Sequence, residues 1–186
     1  MNELTALADG SLDPADDGPA VSRRRIVEWE DPAIGAGRAL ELSGMDYLQA
    51  MRRGEVPPPP ISALLGMDIV GLEPGKVTFA LEPGEHLYNP IGSVHGGVAC
   101  TLLDSVMGCA VHTVLPQGRA YTTLELKVNL VRPITTKVDR VLAEGLLVTQ
   151  GSRVATATGQ IVDERGKLYA HASTTCLVFP VDGRTA

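Results

Sequence analysis

The sequence predicts an α+β protein in which an antiparallel sheet packs on one long helix. One almost continuously apolar segment, 96–115, has the length of a helix and is bounded by glycines at its start and a Pro-Gln-Gly turn at its end. Strand-like segments separated by short polar turns lie on both sides of it. A chain of 186 residues accommodates one ordinary domain with a further segment left over.

The strand-like segments predict two short strands before the long helix and four longer strands after it. Turns such as Gln150-Gly151-Ser152 and Asp163-Glu164-Arg165-Gly166 are short enough for hairpins, so consecutive strands are expected to pair antiparallel. The predicted strands cover 68–72, 77–81, 121–131, 138–149, 153–162 and 167–179.

The long helix leaves little polar surface and is therefore expected to be buried nearly all round. A membrane span of about 20 residues is the rival interpretation. Asp104 lies in the middle of the segment, where a carboxylate in lipid would cost roughly 2.5–3.5 kcal/mol, and His112 and several glycines interrupt the rest. A helix wrapped by its own sheet is therefore favoured.

Residues 1–60 differ in composition from the remainder of the chain. They carry 11 acidic and 6 basic side chains, against 11 and 10 in 61–186. Residues 1–25 resemble a terminal arm, Ser43 is predicted to cap a helix over 44–53, and the prolines at 57–60 predict an extended spacer. Residues 61–66 predict one short helical turn. We expect an arm and helical extension over 1–60, a compact domain over 61–180 and a tail over 181–186.

Composition restricts the possible functions. The net charge of −6 and a pI near 5.2 argue against broad binding to nucleic acid or to an anionic membrane. The three cysteines form no CxxC pair, and the histidines have no metal-ligand spacing, so neither a disulfide scaffold nor a metal is expected. The first 25 residues contain no apolar core of a secretory signal, and a cytoplasmic location is expected.

Two features are able to support catalysis. Asp104 is a lone carboxylate on an apolar helix, and it is either a structural hydrogen-bonding group or a general base or nucleophile. The glycine-rich loop 89–97 leads directly into the helix, where free backbone N–H groups can bind an oxyanion or merely allow a sharp turn. Gly96 and Asp104 lie eight residues apart, roughly 12 Å along a helix. If both act on one carbonyl, they must come from different copies of the chain, which predicts a composite site in a dimer.

Three motifs together resemble a known family. They are Asn89-x-x-Gly92-x-x-His95-Gly96-Gly97, Leu102-Leu103-Asp104, and Thr122-Thr123-x-Glu125-x-Lys127-x-Asn129-x-x-Arg132-Pro133. In this order and spacing the chain is similar, over about 61–179, to the hot-dog-fold acyl-CoA thioesterases of the phenylacetate-degradation (PaaI-type) family, within the 4-hydroxybenzoyl-CoA thioesterase-like superfamily. The resemblance implies a long helix wrapped by a five- to six-stranded antiparallel sheet, and a homodimer that doubles to a dimer of dimers.

The resemblance also implies roles for individual residues. The Gly96 N–H would polarise the thioester carbonyl with help from Asn89, and Asp104 of the partner chain would attack or activate water. Thr123 would orient that water, and His95 would steady the loop or lie near the leaving sulfur. The residues expected to contact the coenzyme A portion of the substrate are Gly97, Arg132, Ser152 and Arg153, with no separate cofactor. The acyl group is not specified by the sequence.

Two alternatives remain open. One is a hot-dog hydratase or dehydratase acting on acyl thioesters, although the interval from His95-Gly96-Gly97 to Asp104 resembles that of the thioesterases. The other is a module that binds acyl-CoA without catalysis. An acyl-CoA-responsive regulator would be expected to carry a DNA-reading helix pair, and residues 1–60 are acidic with one evident helix.

Overall fold

The structure is a computed structural model that describes residues 22–181. The predicted tail, apart from its first residue, and most of the predicted terminal arm lie outside the described residues. Within the described part there are four α-helices and six strands. The helices are α1 (Pro32–Glu41), α2 (Gly44–Arg52), α3 (Pro60–Leu65) and α4 (Gly96–His112). The strands are β1 (Met67–Glu73), β2 (Lys76–Leu81), β3 (Arg119–Leu130), β4 (Val141–Gln150), β5 (Val154–Asp163) and β6 (Leu168–Pro180).

All six strands form one antiparallel sheet in the order β1-β2-β4-β5-β6-β3. The sheet curves around α4, which contacts β2, β3, β4, β5 and β6. Side chains from the inner face of the sheet and from α4 form the core, in which Leu103, Val106, Met107 and Val111 are inaccessible to solvent. The predicted α+β fold, with one long helix wrapped by an antiparallel sheet, is confirmed.

A close approach between backbone atoms fixes the depth at which α4 lies in the sheet. A Cβ at Gly145 of β4 would lie 2.4 Å from the carbonyl oxygen of Val106. Only glycine allows a strand to pass this close to a helix backbone. The apolar composition of α4 follows from this enclosure. No helix in the described part of the chain is long and apolar enough to cross a membrane.

The segment before the sheet, residues 22–66 and called the extension from here on, contains one more helix than the sequence predicted. No helix was predicted before residue 44, whereas Asp31 and Pro32 begin α1. The Asp31 carboxylate accepts a hydrogen bond of 2.9 Å from the Ala33 N–H, and Pro32 occupies the first turn, where its missing N–H costs nothing. The division of the chain at residues 60 and 180 stays a prediction.

The remaining elements of the extension match their predictions. Ser43 caps α2, where its hydroxyl accepts from the Asp46 N–H at 3.2 Å. Residues 57–59 of the proline spacer lie in no helix or strand, Pro59 is extended, and Pro60 is the first residue of α3. Gly66 ends α3 in the left-handed conformation, with φ of 76°.

The extension docks on the C-terminal end of α4. The Gly44 N–H donates a hydrogen bond of 3.0 Å to the Leu115 carbonyl oxygen. Leu48 and Ala50 of α2 and the following Val56 are buried. A Cβ at Gly44 would lie 1.8 Å from the His112 carbonyl oxygen. The backbones of α2 and α4 are therefore in direct contact, and the extension is part of the folded body.

Gly44→Ala tests this docking. We expect the substitution to lower the free energy of unfolding by about 1–3 kcal/mol, since the added methyl group meets a backbone atom that cannot yield without displacing α2. Gly37→Ala on α1 is the matched control, because a Cβ there meets no atom within 4 Å. It should be neutral or stabilising by up to about 1 kcal/mol. Urea unfolding of both variants measures the difference, and equal stability would contradict the docking.

An aromatic stack lies at the same junction. The His112 ring is 5.8 Å from the Tyr47 ring of α2 and 5.6 Å from the Tyr121 ring of β3, measured between centroids. Among the described residues, the Nδ1 atom of His112 is buried without a hydrogen-bond partner. Burial lowers the pKa of His112 below its usual 6.5. The folded state therefore favours the neutral form of the His112 ring.

Acid is expected to loosen this junction. The unfolded chain takes up a proton on His112 near pH 6.5, whereas the folded chain does so only at lower pH. The contribution of neutral His112 to the free energy of unfolding is therefore fully present above pH 6.5. Below pH 6.5 the free energy of unfolding decreases, by at most about 1.4 kcal/mol per pH unit for one proton. His112→Phe should reduce the slope of melting temperature between pH 7 and 5. His171→Asn, at an exposed histidine, should leave the slope unchanged. A wild-type slope in His112→Phe would contradict this assignment.

Candidate active site

A β-bulge in β3 determines which side chains of that strand face α4. Strict alternation, as the sequence suggested for 124, 126, 128 and 130, would place Thr123 on the opposite face from Leu126. The pairing of β3 with β6 shifts between Thr123 and Glu125, so that Leu124 is an extra residue. Thr123 consequently faces α4, as Leu130 does further along the strand.

Asp104 lies in the middle of α4 and is half-buried. Its Oδ1 atom accepts a hydrogen bond of 2.8 Å from the Thr123 hydroxyl. This bond offsets part of the cost of burying the carboxylate and fixes its orientation. The Thr123 oxygen retains the capacity to accept a hydrogen bond, and among the described residues the second carboxylate oxygen accepts no hydrogen bond from a side chain. The pair is thus able to hold a water molecule.

The Asp104–Thr123 pair lines a cavity of about 510 Å³. Two other parts of the chain line this cavity with mainly apolar side chains. Met67, Ile69 and Phe79 come from β1 and β2, and Met51, Pro59 and Ile61 come from the extension. A half-buried carboxylate beside a cavity with an apolar side is an arrangement in which a hydrophobic group can bind next to a polar one.

The glycine-rich loop is ordered largely by its own asparagine. Asn89 Oδ1 accepts from the N–H groups of Ile91 and Ser93 at 3.1 and 3.2 Å, and its amide nitrogen donates to the Ser93 hydroxyl at 3.1 Å. Gly92 takes a φ of 79°, which favours glycine. Asn89 therefore shapes the loop, and one amide hydrogen remains for a ligand.

His95 caps the N-terminus of α4. Its Nδ1 atom accepts a hydrogen bond of 2.9 Å from the Gly97 N–H, and its own N–H donates to the Leu87 carbonyl oxygen at 2.8 Å. The Gly97 amide is thus engaged by the cap. Gly96, as the first residue of α4, has an N–H with no partner within the helix. That amide is available to polarise a carbonyl.

The two candidate groups open into different hollows of one chain. Gly96 and Asn89 line a second hollow of about 230 Å³ together with Arg132, whereas Asp104 and Thr123 line the larger cavity. This separation agrees with the roughly 12 Å expected between Gly96 and Asp104 along the helix. The structure therefore places Asp104 beside Thr123, and Gly96 in the same hollow as Asn89. Within one chain the two pairs do not meet.

The proposed phosphate-binding cations are also divided. The Arg132 guanidinium donates to the Leu168 carbonyl oxygen at 2.6 Å and lies beside the Gly96 hollow. Ser152 and exposed Arg153 lie in the turn between β4 and β5, where the Ser152 carbonyl accepts from Arg119. The pairing of β3 with β6 puts these two arginines at opposite ends of β3. A single ligand held by one chain would not contact both.

Two groups beside Asp104 were missed by sequence analysis. Tyr121 and Cys109 line the same cavity. Burial raises the pKa of Cys109 to about 12 and that of Tyr121 well above 10, so both groups stay protonated at neutral pH. Cys109 is therefore not a thiolate nucleophile. Tyr121 lies two residues before Thr123 and therefore on the same face of β3. An alternation pattern that allowed for the bulge at Leu124 would have placed both side chains toward α4. Among the described residues, no cluster of His, Cys, Asp and Glu could hold a metal ion.

Comparisons with known proteins agree with this geometry. A model of the thioesterase superfamily matches residues 91–170, which include the glycine-rich loop, α4 and β3. A protein of Halobacterium salinarum that bears the name of an esterase is 31% identical over 105 residues, covering 54% of this chain and 68% of that protein. A 1,4-dihydroxy-2-naphthoyl-CoA hydrolase of Listeria monocytogenes is 25% identical over 114 residues, covering 61% of this chain and 91% of that protein.

A solved structure of a related protein has the same fold. The phenylacetic acid degradation-related protein of Ralstonia eutropha is 29% identical and superposes with a TM-score of 0.65, covering 70% of this chain and 98% of that one. A sheet curled around one carboxylate-bearing helix, with a glycine-rich loop at the helix N-terminus, defines a hot-dog-fold thioester hydrolase. The chain belongs to the thioesterase superfamily. The predicted PaaI-like resemblance is confirmed.

Proposed function

We propose that the protein hydrolyses an acyl-CoA thioester to a free acid and coenzyme A, using Asp104 as its catalytic carboxylate. The observation that carries this proposal is the 2.8 Å hydrogen bond from Thr123 to Asp104 in the wall of a cavity with an apolar side. The coenzyme A portion is supported by the related naphthoyl-CoA hydrolase and by Arg132 beside the loop. The chemistry needs no cofactor in addition to the substrate.

The reaction follows from the positions of these groups. A water molecule between the Thr123 hydroxyl and the second oxygen of Asp104 gives a proton to the carboxylate while its oxygen adds to the thioester carbon. The negative charge that forms on the carbonyl oxygen is stabilised by the Gly96 N–H. The intermediate then breaks its C–S bond, and the departing thiolate takes the proton from Asp104. Direct attack by Asp104, followed by hydrolysis of the resulting anhydride, uses the carboxylate in the same position.

The two halves of the site are proposed to meet across a two-fold axis. β3 is an edge strand of the sheet, and it exposes 60% of Leu124 and 58% of Leu130. An unpaired edge with large exposed apolar side chains favours pairing with a second copy. Pairing about a two-fold axis reverses one α4 relative to the other. Gly96 of one chain then approaches Asp104 of its partner. Further assembly into a dimer of dimers stays a prediction, as does a cytoplasmic location.

Substitutions at Asp104 and Thr123 test the carboxylate. Asp104→Asn should lower kcat/KM by about 100-fold or more, because the amide cannot accept a proton from water. Thr123→Val should lower it by about tenfold, the scale of one hydrogen bond to a charged group, whereas Thr123→Ser should retain most activity. Release of free coenzyme A from short-chain, long-chain and aryl acyl-CoAs provides the measurement. Binding without turnover in the wild type would favour the binding module, and hydration of an enoyl-CoA would favour the hydratase.

Two substitutions at Gly96 isolate its amide. Gly96→Pro removes the N–H, and proline suits the first position of a helix. His95, with φ of −57° and ψ of 134°, already has the conformation that precedes proline. Gly96→Ala keeps the N–H, and its methyl group meets only the flexible end of Leu130. We expect Gly96→Pro to lose about 100-fold in kcat and Gly96→Ala to stay near wild type.

Mixed dimers then test the composite site. A refolded equal mixture of Gly96→Pro and Asp104→Asn chains should recover about a quarter of wild-type activity, since half of the dimers are hybrid and each hybrid has one intact site. A mixture of Asp104→Asn with Thr123→Val serves as the control, because both substitutions damage the same half of the site. A Gly96→Pro mixture no more active than its parents would contradict a site shared between chains.

A further inference from the structure

The extension contributes one side of the cavity beside Asp104. Met51 comes from α2, Pro58 and Pro59 from the spacer, and Ile61 from α3, and they face the same cavity as Met67 and Phe79 of the sheet. We propose that this segment, defined here as the acyl wall (51–61), selects bulky, uncharged hydrophobic acyl groups. The inference rests on the proposed function and names the substrate class of that same site.

The acyl wall is held firmly against the rest of the molecule. On one side, Gly44 donates to Leu115, and the buried side chains of Leu48 and Val56 anchor α2 and the segment after it. On the other side, Arg25 donates to the Leu64 carbonyl oxygen of α3 at 2.7 Å and to that of Ala63 at 3.3 Å. A wall fixed at both ends sets a size limit for what enters the cavity.

The size of the cavity indicates a group larger than acetyl. A volume of about 510 Å³ lies within the range of roughly 300–1,000 Å³ that holds a drug-sized ligand. The interior is formed by buried Met67 and Phe79. A medium-length alkyl or aryl group would remove this apolar surface from water, at roughly 25 cal/mol per Å².

The distribution of charge indicates that the acyl group is neutral at its far end. Apart from Asp104, the charged residues lining the cavity in the described part of the chain are Arg52 and Asp68, and both are exposed. They therefore lie at the opening. The titratable Cys109 and Tyr121 of the lining stay protonated because burial raises the pKa of each. A carboxylate at the far end of the acyl group would therefore be buried near the Asp104 carboxylate, with no cation among the described residues of the interior to pair with it.

This wall lies outside the part of the chain matched by the family model. The match begins at residue 91, after the extension and β1–β2. The related Ralstonia structure is covered over 98% of its length, while 30% of this chain remains outside that superposition. We therefore expect the acyl wall to give this chain a substrate range that is not common to the whole superfamily.

Substitution of Ile61 tests the wall, with Leu64 as its matched control. Ile61 faces the cavity, whereas Leu64 lies one helical turn later on α3, is 52% exposed and does not line it. Acetyl-, octanoyl- and dodecanoyl-CoA, with the ω-carboxylate analogue of the octanoyl compound, are assayed by coenzyme A release. Circular dichroism and melting temperature verify that each variant folds.

We expect the wild type to prefer octanoyl-CoA to its ω-carboxylate analogue by about 100-fold or more. Ile61→Trp should lower the ratio of kcat/KM for dodecanoyl-CoA to kcat/KM for acetyl-CoA by about tenfold or more. Ile61→Ala should shift the preference toward the longer chain, and Leu64→Trp should keep the wild-type profile.

The possible failures are distinguishable. An unchanged chain-length profile in folded Ile61→Trp and Ile61→Ala, with an active wild type, would overturn the acyl wall alone. Equal turnover of the octanoyl compound and its ω-carboxylate analogue would overturn the preference for neutral groups. An equal shift in Leu64→Trp would show that the effect does not arise from the cavity, and it too would overturn the proposal. A wild type that cleaves none of the thioesters would overturn the proposed function, and the acyl wall with it.

Discussion

The enclosure of α4 by its own sheet is the constraint on which the structure depends. A helix surrounded on most sides must be apolar, and every polar group on it needs a partner. Asp104 meets this requirement through Thr123, at 2.8 Å. The partner comes from an edge strand and reaches the helix because of a bulge at Leu124. The same interaction that makes the buried carboxylate tolerable leaves it beside a cavity with one oxygen available for chemistry.

The N-terminus of α4 is organised differently from its middle, where Asp104 lies. Its first turn lies at the end of a loop ordered by Asn89 and capped by His95, so that backbone amides rather than side chains supply the polar groups. A helix keeps these two sites roughly 12 Å apart and unable to meet within one chain. The separation is the physical reason for proposing a two-fold assembly. It also explains why residues on one chain line two hollows instead of one.

Much of this arrangement follows from sequence pattern alone. The strands and the long helix are found within a few residues of their predicted ends, because apolar periodicity and turn residues specify them locally. The bulge at Leu124 was missed because it changes the phase of alternation without changing the residue types. Helix α1 was missed because Asp31-Pro32 is compatible with a turn and with a capped helix start. The cavity was not predictable, since Met51 and Phe79 are brought together only by tertiary packing.

The docking of the extension links the acyl wall to the Asp104 carboxylate through one strand. Tyr121 packs over Gly108 of α4 and against His112, which in turn contacts Tyr47 of the extension. Two residues further along β3, Thr123 holds Asp104. The position of this strand segment therefore depends on the fit of α2 against the end of α4. A displacement of the extension would alter both the space for the acyl group and the hydrogen bond on Asp104. For this reason substitutions at the docking surface should reduce turnover as well as stability, whereas those at Ile61 should alter selectivity alone.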